Sequence, residues 1–475
     1  MVSSEDYTPA GKPDLLRRRA AFALLACLLA LVTPAAAAFD RSAESPDGVP
    51  QRLVLAIDGI PYDVFVELQG RGHFSAFRPA ARMVSTFPSL SDVAFAAIEG
   101  GDPPDGYQTT HYDPVRNKVV GHSIGALSER AHPKIASDAT SHSVPHRVMG
   151  YVTPQRIALG ELREIGRDLL RSRKQTFVAY LGTSDAVLHL KGRAGAETFL
   201  LQVDAYLQDL QARVRERTGR ELMIDIVSDH GSTMVGSKVV PVEKLLGQCG
   251  FRRNRGMTEA IDTAYSLPGI VGSLAITASP EGAEAAARCL AVAEGMDLVA
   301  INRGDAVGVL TADGEAEVRL LATFPERYGY RALRGDPLGL LDGAATEQVF
   351  EQATAFRQTR DAPRPDPLRR LWRAFHGDVK NPSALLLSLD DGYEVGNPAL
   401  RLMTRLRGGH AGTHGSMTRL ASLGVIASNW RDVDDVNVAS ANHALFGAGA
   451  ITAMKLALAK RADDARHDGS SASRR

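Results

Sequence analysis

The stretch from residue 224 to residue 231 constrains the fold more than any other part of the chain. An apolar, largely β-branched run ends there in Asp229, His230 and a glycine. Such a run is typical of a buried strand, and open α/β sheets bind their ligands at the carboxyl ends of their strands. A carboxylate oxygen and an imidazole nitrogen are both good ligands for a divalent metal. The pair predicts a metal site if other parts of the chain supply matching ligands.

Two further predicted strands end in similar residues. Residues 52–57 form an apolar run that stops at Asp58, and residues 177–181 form another that is followed by Asp185 and His189. A spacing of four places Asp185 and His189 on one face of a helical turn. Asp58, taken alone, is equally typical of the N-cap of a following helix. Together, the three strand ends predict a cluster of acids and histidines at one edge of a sheet.

A glycine-rich segment near the carboxyl terminus adds histidines. Residues 408–416 contain His410 and His414, and the apolar run at 423–426 predicts that the chain then returns to the sheet. Both histidines are available as ligands. Glycines near His414 allow a close approach to a metal, so His414 is the sixth predicted ligand.

A hydroxyl group is predicted to lie beside these ligands. Residues 85–100 predict a loop that leads into a short helix, and a hydroxyl at a helix N-terminus suits phosphate chemistry because free N–H groups point at the anion. Ser89 and Ser91 are the candidate hydroxyls, although either serine is also a typical helix cap. Six ligands around one hydroxyl are enough for two divalent metal ions, which activate the serine oxygen and stabilise an in-line displacement at phosphorus.

This ordered set of residues resembles the alkaline phosphatase superfamily, and within it the type I phosphodiesterase/nucleotide pyrophosphatase group. The resemblance covers residues 50–240 and 405–430. Its most specific parts are Ser-Asp-His-Gly at 228–231 and Gly-x-His-Gly at 412–415. It implies an α/β fold with a central, mostly parallel sheet flanked by helices, and a covalent intermediate on the hydroxyl. It also implies two zinc ions, one bound by Asp185, His189 and His414 and the other by Asp58, Asp229 and His230.

The nucleophile loop departs from the pattern of that group. Its members usually have a threonine nucleophile followed by Phe-Pro-Asn-His, whereas Asp92 follows Ser91 here and the loop contains no asparagine to hold a phosphoryl oxygen. A serine beside an aspartate resembles alkaline phosphatase itself. Ser91 lines up with the nucleophile of the group and is preferred over Ser89. The resemblance implies a phosphoester hydrolase similar to phosphodiesterases and nucleotide pyrophosphatases, and phosphomonoesterase, phosphonate hydrolase and phosphotransferase activities are the alternatives on the same site. A non-catalytic, metal-stabilised binding protein is the alternative from another class.

The first 38 residues have the pattern of a signal peptide. Three arginines at 17–19 precede an apolar run at 20–32 and an Ala-x-Ala end. The alternative is a membrane anchor, since about 20 apolar residues span a bilayer. Either reading predicts an exported protein, periplasmic or secreted, with no membrane span beyond the leader. In an oxidising compartment Cys249 and Cys289 are able to pair, although two unpaired core cysteines are the alternative.

The net charge limits the classes of molecule that the protein is expected to bind. The formal net charge is zero, so nothing predicts a nucleic acid polymer, and the expected partner is a small phosphoester. The oligomeric state is left open. We expect a catalytic domain at 50–250 and 400–460, an inserted α+β segment at 251–399 that shapes substrate entry, and a flexible tail at 461–475. Within the insertion we predict strands at 273–279, 298–302, 306–311 and 315–321, a helix at 282–293, a hairpin turn at 312–314 and an exposed connection at 357–371.

Overall fold

The computed structural model describes residues 43–121, 138, 153–405, 409–454 and 456–457. The predicted signal peptide and the predicted tail lie outside these residues. One compact unit spans Arg41–Leu445, and it carries every predicted ligand. The described part of a second unit, which begins at Phe446, is helical from residue 448. Among the described helices, none is both long and apolar enough to cross a bilayer.

The predicted strand ends belong to one six-stranded sheet. With strands and helices numbered in chain order, its members are β1 Arg52–Ile57, β2 Ala81–Val84, β5 Thr176–Leu181, β6 Met223–Val227, β19 Leu423–Ser428 and β20 Val436–Asn437. Their order is β20-β2-β19-β6-β1-β5. Only β19 runs against its neighbours, and the other described strands of this sheet share one direction. The predicted α/β fold with a mostly parallel central sheet is confirmed.

The register of the three central strands brings their carboxyl ends level. Ile57 of β1 lies opposite Leu181 of β5, and Ala56 lies opposite Val227 of β6. Asp58 therefore leaves the sheet beside the chain segments that follow both neighbouring strands. Every residue of β1, β5 and β6 is buried, as expected for parallel strands that are covered on both faces.

Three helices share one apolar core with this sheet, α1 Tyr62–Gly70, α3 Pro154–Arg171 and α4 Thr183–Thr218. Three more helices adjoin its strands in sequence, α2 Ser91–Glu99, α10 Arg419–Ser422 and α11 Val438–Phe446. The helix predicted at 196–216 is the second part of α4, which Gly192 interrupts with a non-helical φ of 56° and ψ of −151°. The part before Gly192 carries Asp185 and His189, so the predicted helical spacing is confirmed.

A second, seven-stranded sheet is antiparallel throughout its described pairs. Its order is β11-β17-β12-β13-β14-β15-β16. The strands are β11 Ser273–Ile276, β12 Met296–Asn302, β13 Val307–Leu310, β14 Glu315–Thr323, β15 Glu326–Arg334, β16 Glu347–Glu351 and β17 Leu385–Leu389, and α6 Pro280–Leu290 packs on β12. The strands and helix predicted between residues 273 and 321 are confirmed, including the hairpin turn at 312–314. The wider domain boundaries stay a prediction.

The remaining elements are short. They are β3 His111–Asp113, β4 Lys118–Val120, β7 Lys238–Val239, β8 Arg252–Arg253, β9 Asp262–Thr263, β10 Ile270–Val271, β18 Tyr393–Gly396, a 3₁₀ turn at Tyr107–Thr109, α5 Val242–Gln248, α7 Gln352–Thr359, α8 Pro367–Phe375 and α9 Pro398–Arg405.

The exposed connection predicted at 357–371 is confirmed only in part: residues 360–366 connect two helices and are partly exposed, but the ends of the segment are helical. The segment holds the end of α7 and the start of α8, and Leu368, Arg370 and Leu371 are at most 3% exposed. Its prolines and arginines suggested a loop. Proline is well tolerated in the first turn of a helix, however, because the N–H that it lacks has no intrahelical partner there.

Cys249 and Cys289 form a disulfide. It joins the end of α5 to α6 with the two Cα atoms 6.1 Å apart, across 40 residues of sequence. Of the two alternatives that the sequence left open, the structure shows the paired one.

Removing this disulfide is expected to destabilise the protein. For a loop of this length, the Cys249→Ser/Cys289→Ser variant should lose about 2–4 kcal/mol of unfolding free energy. Denaturant unfolding of the oxidised protein, the reduced protein and the double variant measures this loss. Equal midpoints for the oxidised protein and the variant would contradict the prediction.

Candidate metal centre and nucleophile

The six predicted ligands lie together at the carboxyl edge of the six-stranded sheet. Asp58 follows β1, and Asp229 and His230 follow β6. Asp185 and His189 lie in the first turns of α4, directly after β5. All except Asp185 are at most 6% exposed, and the side chain of Asp185 is 19% exposed. His414 completes the set from the loop that precedes α10. The strand-end pattern therefore brings distant residues into one buried cluster.

Three of the ligands form a first group. Ligand atoms of Asp185, His189 and His414 all lie within 4.8 Å of one another. The Nε2 of His189 is 3.0 Å from Asp185 Oδ2, and the Nε2 of His414 is 3.8 Å from Asp185 Oδ1. One carboxylate thus presents a different oxygen to each histidine, an arrangement that is able to hold a metal ion.

A second group shares Asp185 with the first. Ligand atoms of Asp58, Asp185 and His230 also lie within 4.8 Å of one another. Asp229 lies beside this group, because its Oδ2 is 3.2 Å from His230 Nε2, which is itself 3.4 Å from Asp58 Oδ1. The structure therefore places Asp185 between the two groups, a position that the sequence did not indicate.

The histidine hydrogen bonds show which ring nitrogens face the carboxylates. The Nδ1 atoms of His189, His230 and His414 each lie 2.8 Å from a main-chain carbonyl oxygen, of Gly412, Gly231 and Ser89 respectively. A carbonyl oxygen only accepts, so each Nδ1 must carry a proton. In a neutral ring the Nε2 then carries a lone pair, and all three Nε2 atoms face carboxylate oxygens. Lone pairs directed at negative oxygens repel unless a cation lies between them.

The electrostatics of the second group favour a bound cation. Burial and the nearby Asp229 and Asp185 charges raise the pKa of Asp58 well above its usual value, and burial raises the pKa of Asp229 to about 7. Burial also lowers the pKa of His230, and lowers that of His414 to about 3, so both rings are neutral at physiological pH. The protein alone therefore leaves this cluster short of positive charge.

In the first group, Asp185 and His189 favour each other's charged forms. Burial favours the neutral His189 ring, but the Asp185 carboxylate raises the pKa of His189. Burial would likewise raise the pKa of Asp185, but the neighbouring histidines lower it below its usual range. Even so, Asp185 Oδ1 is a buried oxygen with no hydrogen-bond partner among the described residues, and Asp229 Oδ2 is another. Unpartnered buried oxygens are costly unless they coordinate a cation, so the donor set fits divalent metal.

Ser91 lies at the edge of this cluster. It is the first residue of α2, and its Oγ is 3.2 Å from both Asp58 Oδ1 and His230 Nε2. Leu90 occupies the N-cap and offers no side-chain acceptor to the first turn. The first turn carries one acidic side chain, Asp92, whose carboxylate accepts from Val93 N and from Thr109 N, each at 3.0 Å. The partial positive charge of this helix end is therefore partly compensated within the protein, and an anion would meet the N–H groups that precede Val93.

Ser89 has different surroundings. It is fully buried, and its Oγ donates to Ser416 O at 3.0 Å and accepts from Gly415 N at 2.9 Å. Its carbonyl oxygen accepts from His414 Nδ1. Ser89 thus joins the nucleophile loop to the loop that carries His414, and its hydroxyl is occupied by main-chain contacts.

Two further contacts at the site have no clear signal in the sequence. Tyr180, which is buried in β5, donates its hydroxyl to Asp58 Oδ2 at 2.5 Å. His410, one of the two available histidines, has its Nδ1 3.2 Å from Glu394 Oε2 and stacks on His189 with ring centroids 4.7 Å apart. A tyrosine in a buried strand is typical of the hydrophobic core, so the sequence did not predict its contact with Asp58. Glu394 lies outside the predicted ligand motifs, so its contact with His410 was not predicted either.

Removing the Tyr180 hydroxyl is expected to weaken metal binding. Tyr180→Phe would free Asp58 Oδ2, and the loss of such an outer-shell partner typically costs about 10–100-fold in metal affinity. Tyr330→Phe is a matched control, since Tyr330 is also buried and donates to a carboxylate, Asp336 Oδ1, at 2.6 Å in the other sheet. Competition with a chromophoric chelator measures both variants. Equal affinities for the two would contradict a role for Tyr180 at the metal centre.

The chain was compared with family models, with curated proteins and with solved structures. No protein-family model matches the sequence, and no curated protein matches it. Among solved structures, murine ectonucleotide pyrophosphatase/phosphodiesterase 5 aligns with 83% of this chain and 94% of its own, at 12% identity and a TM-score of 0.45. The human protein of the same name aligns with 82% and 92%, at 11% identity and a TM-score of 0.43. At these values no activity is inferred from them, and the functional argument rests on the site.

Proposed function

We propose that this chain is an exported, metal-dependent phosphoester hydrolase that acts through a covalent intermediate on Ser91. One observation supports it above the others. Among the described residues, the Ser91 Oγ is the only hydroxyl oxygen found 3.2 Å from two of the predicted ligands, and Ser91 is the first residue of a helix. A structural metal site has no need of such a hydroxyl, whereas displacement at phosphorus requires one. This contrast favours an enzyme over a metal-stabilised binding protein.

The ligand set supports two divalent ions, with zinc expected from the nitrogen and oxygen donors. Asp185, His189 and His414 would hold one, and Asp58, Asp229 and His230 the other, with Asp185 close to both. When bound, such ions act as Lewis acids that stabilise negative charge on the oxygens of an in-line displacement.

The chain's own residues supply the nucleophile, orient it and bind the phosphoryl group. The Ser91 hydroxyl donates to Asp58 Oδ1, which fixes the direction of its oxygen. Attack by that oxygen forms an Oγ–P bond and breaks the bond from phosphorus to the leaving oxygen, while the serine proton passes to Asp58 Oδ1 and from there to the leaving oxygen. Water attacks the same phosphorus in the second step and releases the serine. Because Ser91 is the first residue of α2, a phosphoryl group on its oxygen would lie near the first N–H groups of the helix, which would stabilise the charge on the phosphoryl oxygens.

Export is supported by two features. The leader has the pattern of a signal peptide, and the Cys249–Cys289 disulfide is of the kind that persists in oxidising compartments.

The proposal is tested by assaying the purified mature chain on p-nitrophenyl phosphate and bis(p-nitrophenyl) phosphate in parallel. Metal-loaded protein is expected to release nitrophenol, and chelator-treated protein is not, until metal is restored. The faster ester decides between monoesterase and diesterase, a competing alcohol reveals phosphotransfer, and a nitrophenyl phosphonate tests the remaining alternative. Metal-loaded protein that turns over none of these would refute the proposed function and leave the binding-protein alternative.

A further inference from the structure

Arg370 is a buried cation that the proposed chemistry does not use. It lies in α8, outside the six-stranded sheet, and is 3% exposed. Burial lowers the pKa of Arg370 to about 10, which reflects the cost of desolvating its charge, although the group remains protonated at neutral pH. Apolar residues often stabilise such a position better than a buried charge, so the contacts that Arg370 makes need a specific explanation.

Those contacts all go to main-chain carbonyl oxygens. Nε and Nη2 donate to Thr86 O at 3.3 and 2.9 Å, and Nη1 donates to Pro365 O at 2.9 Å and to Met417 O at 3.3 Å. The guanidinium is a rigid planar fork with five donors, and here it bridges three separate chain segments. A lysine ammonium has no comparable fixed geometry.

Two of these segments carry the candidate site. Thr86 lies five residues before Ser91 in the nucleophile loop, and Met417 lies three residues after His414. Between these two anchors, Ser89 already joins the loops through Ser416 O and Gly415 N. Arg370 adds a second link at the outer ends of the same two loops, and this link comes from the segment that supports the seven-stranded sheet.

The second sheet also contacts the His414 loop directly. Gly272 N donates to His414 O at 2.6 Å, and Ser388 Oγ of β17 accepts from Met417 N at 2.8 Å. The loop is therefore fixed from both sides, by the nucleophile loop and by the second sheet. Arg370 is the described side chain that donates to both reactive loops at once.

We propose that Arg370 is a positioning residue that sets the placement of Ser91 relative to the His414 ligand by holding the carbonyl oxygens of Thr86 and Met417. This inference rests on the proposed function for its catalytic consequence, but its effect on metal binding is independent of turnover. It also assigns the 251–399 segment a part in building the site, in addition to the role in substrate entry that its position in sequence suggested.

The test compares Arg370→Ala and Arg370→Lys with Arg220→Ala in the full mature chain. Arg220 is a control of similar chemistry, because it donates to Val49 O and to Pro50 O at the amino end of β1, the opposite edge of the sheet. We expect both Arg370 variants to lose about 100-fold in kcat, the scale of a misplacement near 1 Å, with KM little changed. Added guanidinium should restore much of the kcat of Arg370→Ala, and neither loss nor rescue is expected for Arg220→Ala.

Zinc affinity, measured by chelator competition, provides the second readout. Arg370→Ala should bind zinc about 10-fold more weakly, as for loss of an outer-shell contact, and guanidinium should reverse this. If the wild-type chain binds zinc but hydrolyses no ester, the proposed function fails, and the zinc affinity of the variants alone then tests the positioning role of Arg370. Unchanged kcat and zinc affinity in the folded variants, or losses that guanidinium leaves unaltered, would overturn the proposal. If Arg370→Ala does not fold, a fully active Arg370→Lys would overturn it as well.

Discussion

Asp185→Asn is expected to remove metal from both ligand groups, whereas substitution of any other single ligand should act mainly on one. Asp185 contributes Oδ2 towards His189 and Oδ1 towards His414, and it also belongs to the group that contains Asp58 and His230. Asparagine keeps the size of the side chain but removes its charge and one ligand oxygen. The loss of affinity should exceed the roughly 10–100-fold that removal of an outer-shell partner costs.

Metal content after equilibrium dialysis, measured by atomic emission, tests this expectation. Asp229→Asn is the informative comparison, because Asp229 is in neither group of three and reaches the cluster through His230. Asp63→Asn is the matched control, since this half-exposed carboxylate pairs with Arg419 away from the cluster. We expect Asp63→Asn to retain full metal, Asp229→Asn to lose part and Asp185→Asn to lose nearly all. Full metal in Asp185→Asn would contradict its position between two ions.

The sequence predicted that the ligand residues cluster because the end of a strand can be recognised from local sequence and its position in the sheet is shared with the neighbouring strands. An apolar run that stops at an acid or a histidine places that side chain at a sheet edge, whatever the loops between the strands do. Parallel pairing then brings Asp58, Asp185 and Asp229 to the same edge, since β1 lies between β5 and β6. The prediction needed only hydrophobic patterning and the rule that such edges bind ligands.

The features that sequence reasoning missed depend on contacts between distant segments. Tyr180 meets Asp58 across 122 residues, and Arg370 meets Thr86 across 284. Local periodicity does not predict such contacts, because Tyr180 fits the pattern of a buried strand and Arg370 that of an exposed segment. Composition was also misleading at 367–371, where arginine and proline suggested that the exposed connection continues. The burial of Arg370 follows instead from the carbonyl oxygens that surround it.

Ser91→Ala is expected to abolish turnover while leaving metal binding intact. The Oγ of Ser91 lies beside Asp58 and His230, but the six side-chain ligands do not need it to form the two groups. Deleting a covalent nucleophile can cost about 10⁶-fold in kcat, and a loss above roughly 10⁴-fold is expected here. The variant should still bind zinc with wild-type stoichiometry, so that inactivity cannot be attributed to an empty site.

Ser89→Ala is expected to weaken zinc binding and to keep part of the turnover. Comparison of Ser89→Ala with Ser91→Ala therefore shows which serine is the nucleophile. The Ser89 hydroxyl links Ser416 O to Gly415 N, so its loss should loosen the loop that carries His414 and weaken zinc binding. Activity should then fall in part, and saturating zinc should recover it, which is impossible for a missing nucleophile. If Ser91→Ala stayed active and Ser89→Ala lost all turnover at saturating zinc, the assignment would reverse. That outcome would require the Ser89 hydroxyl to leave two main-chain hydrogen bonds in a fully buried position before it could attack phosphorus.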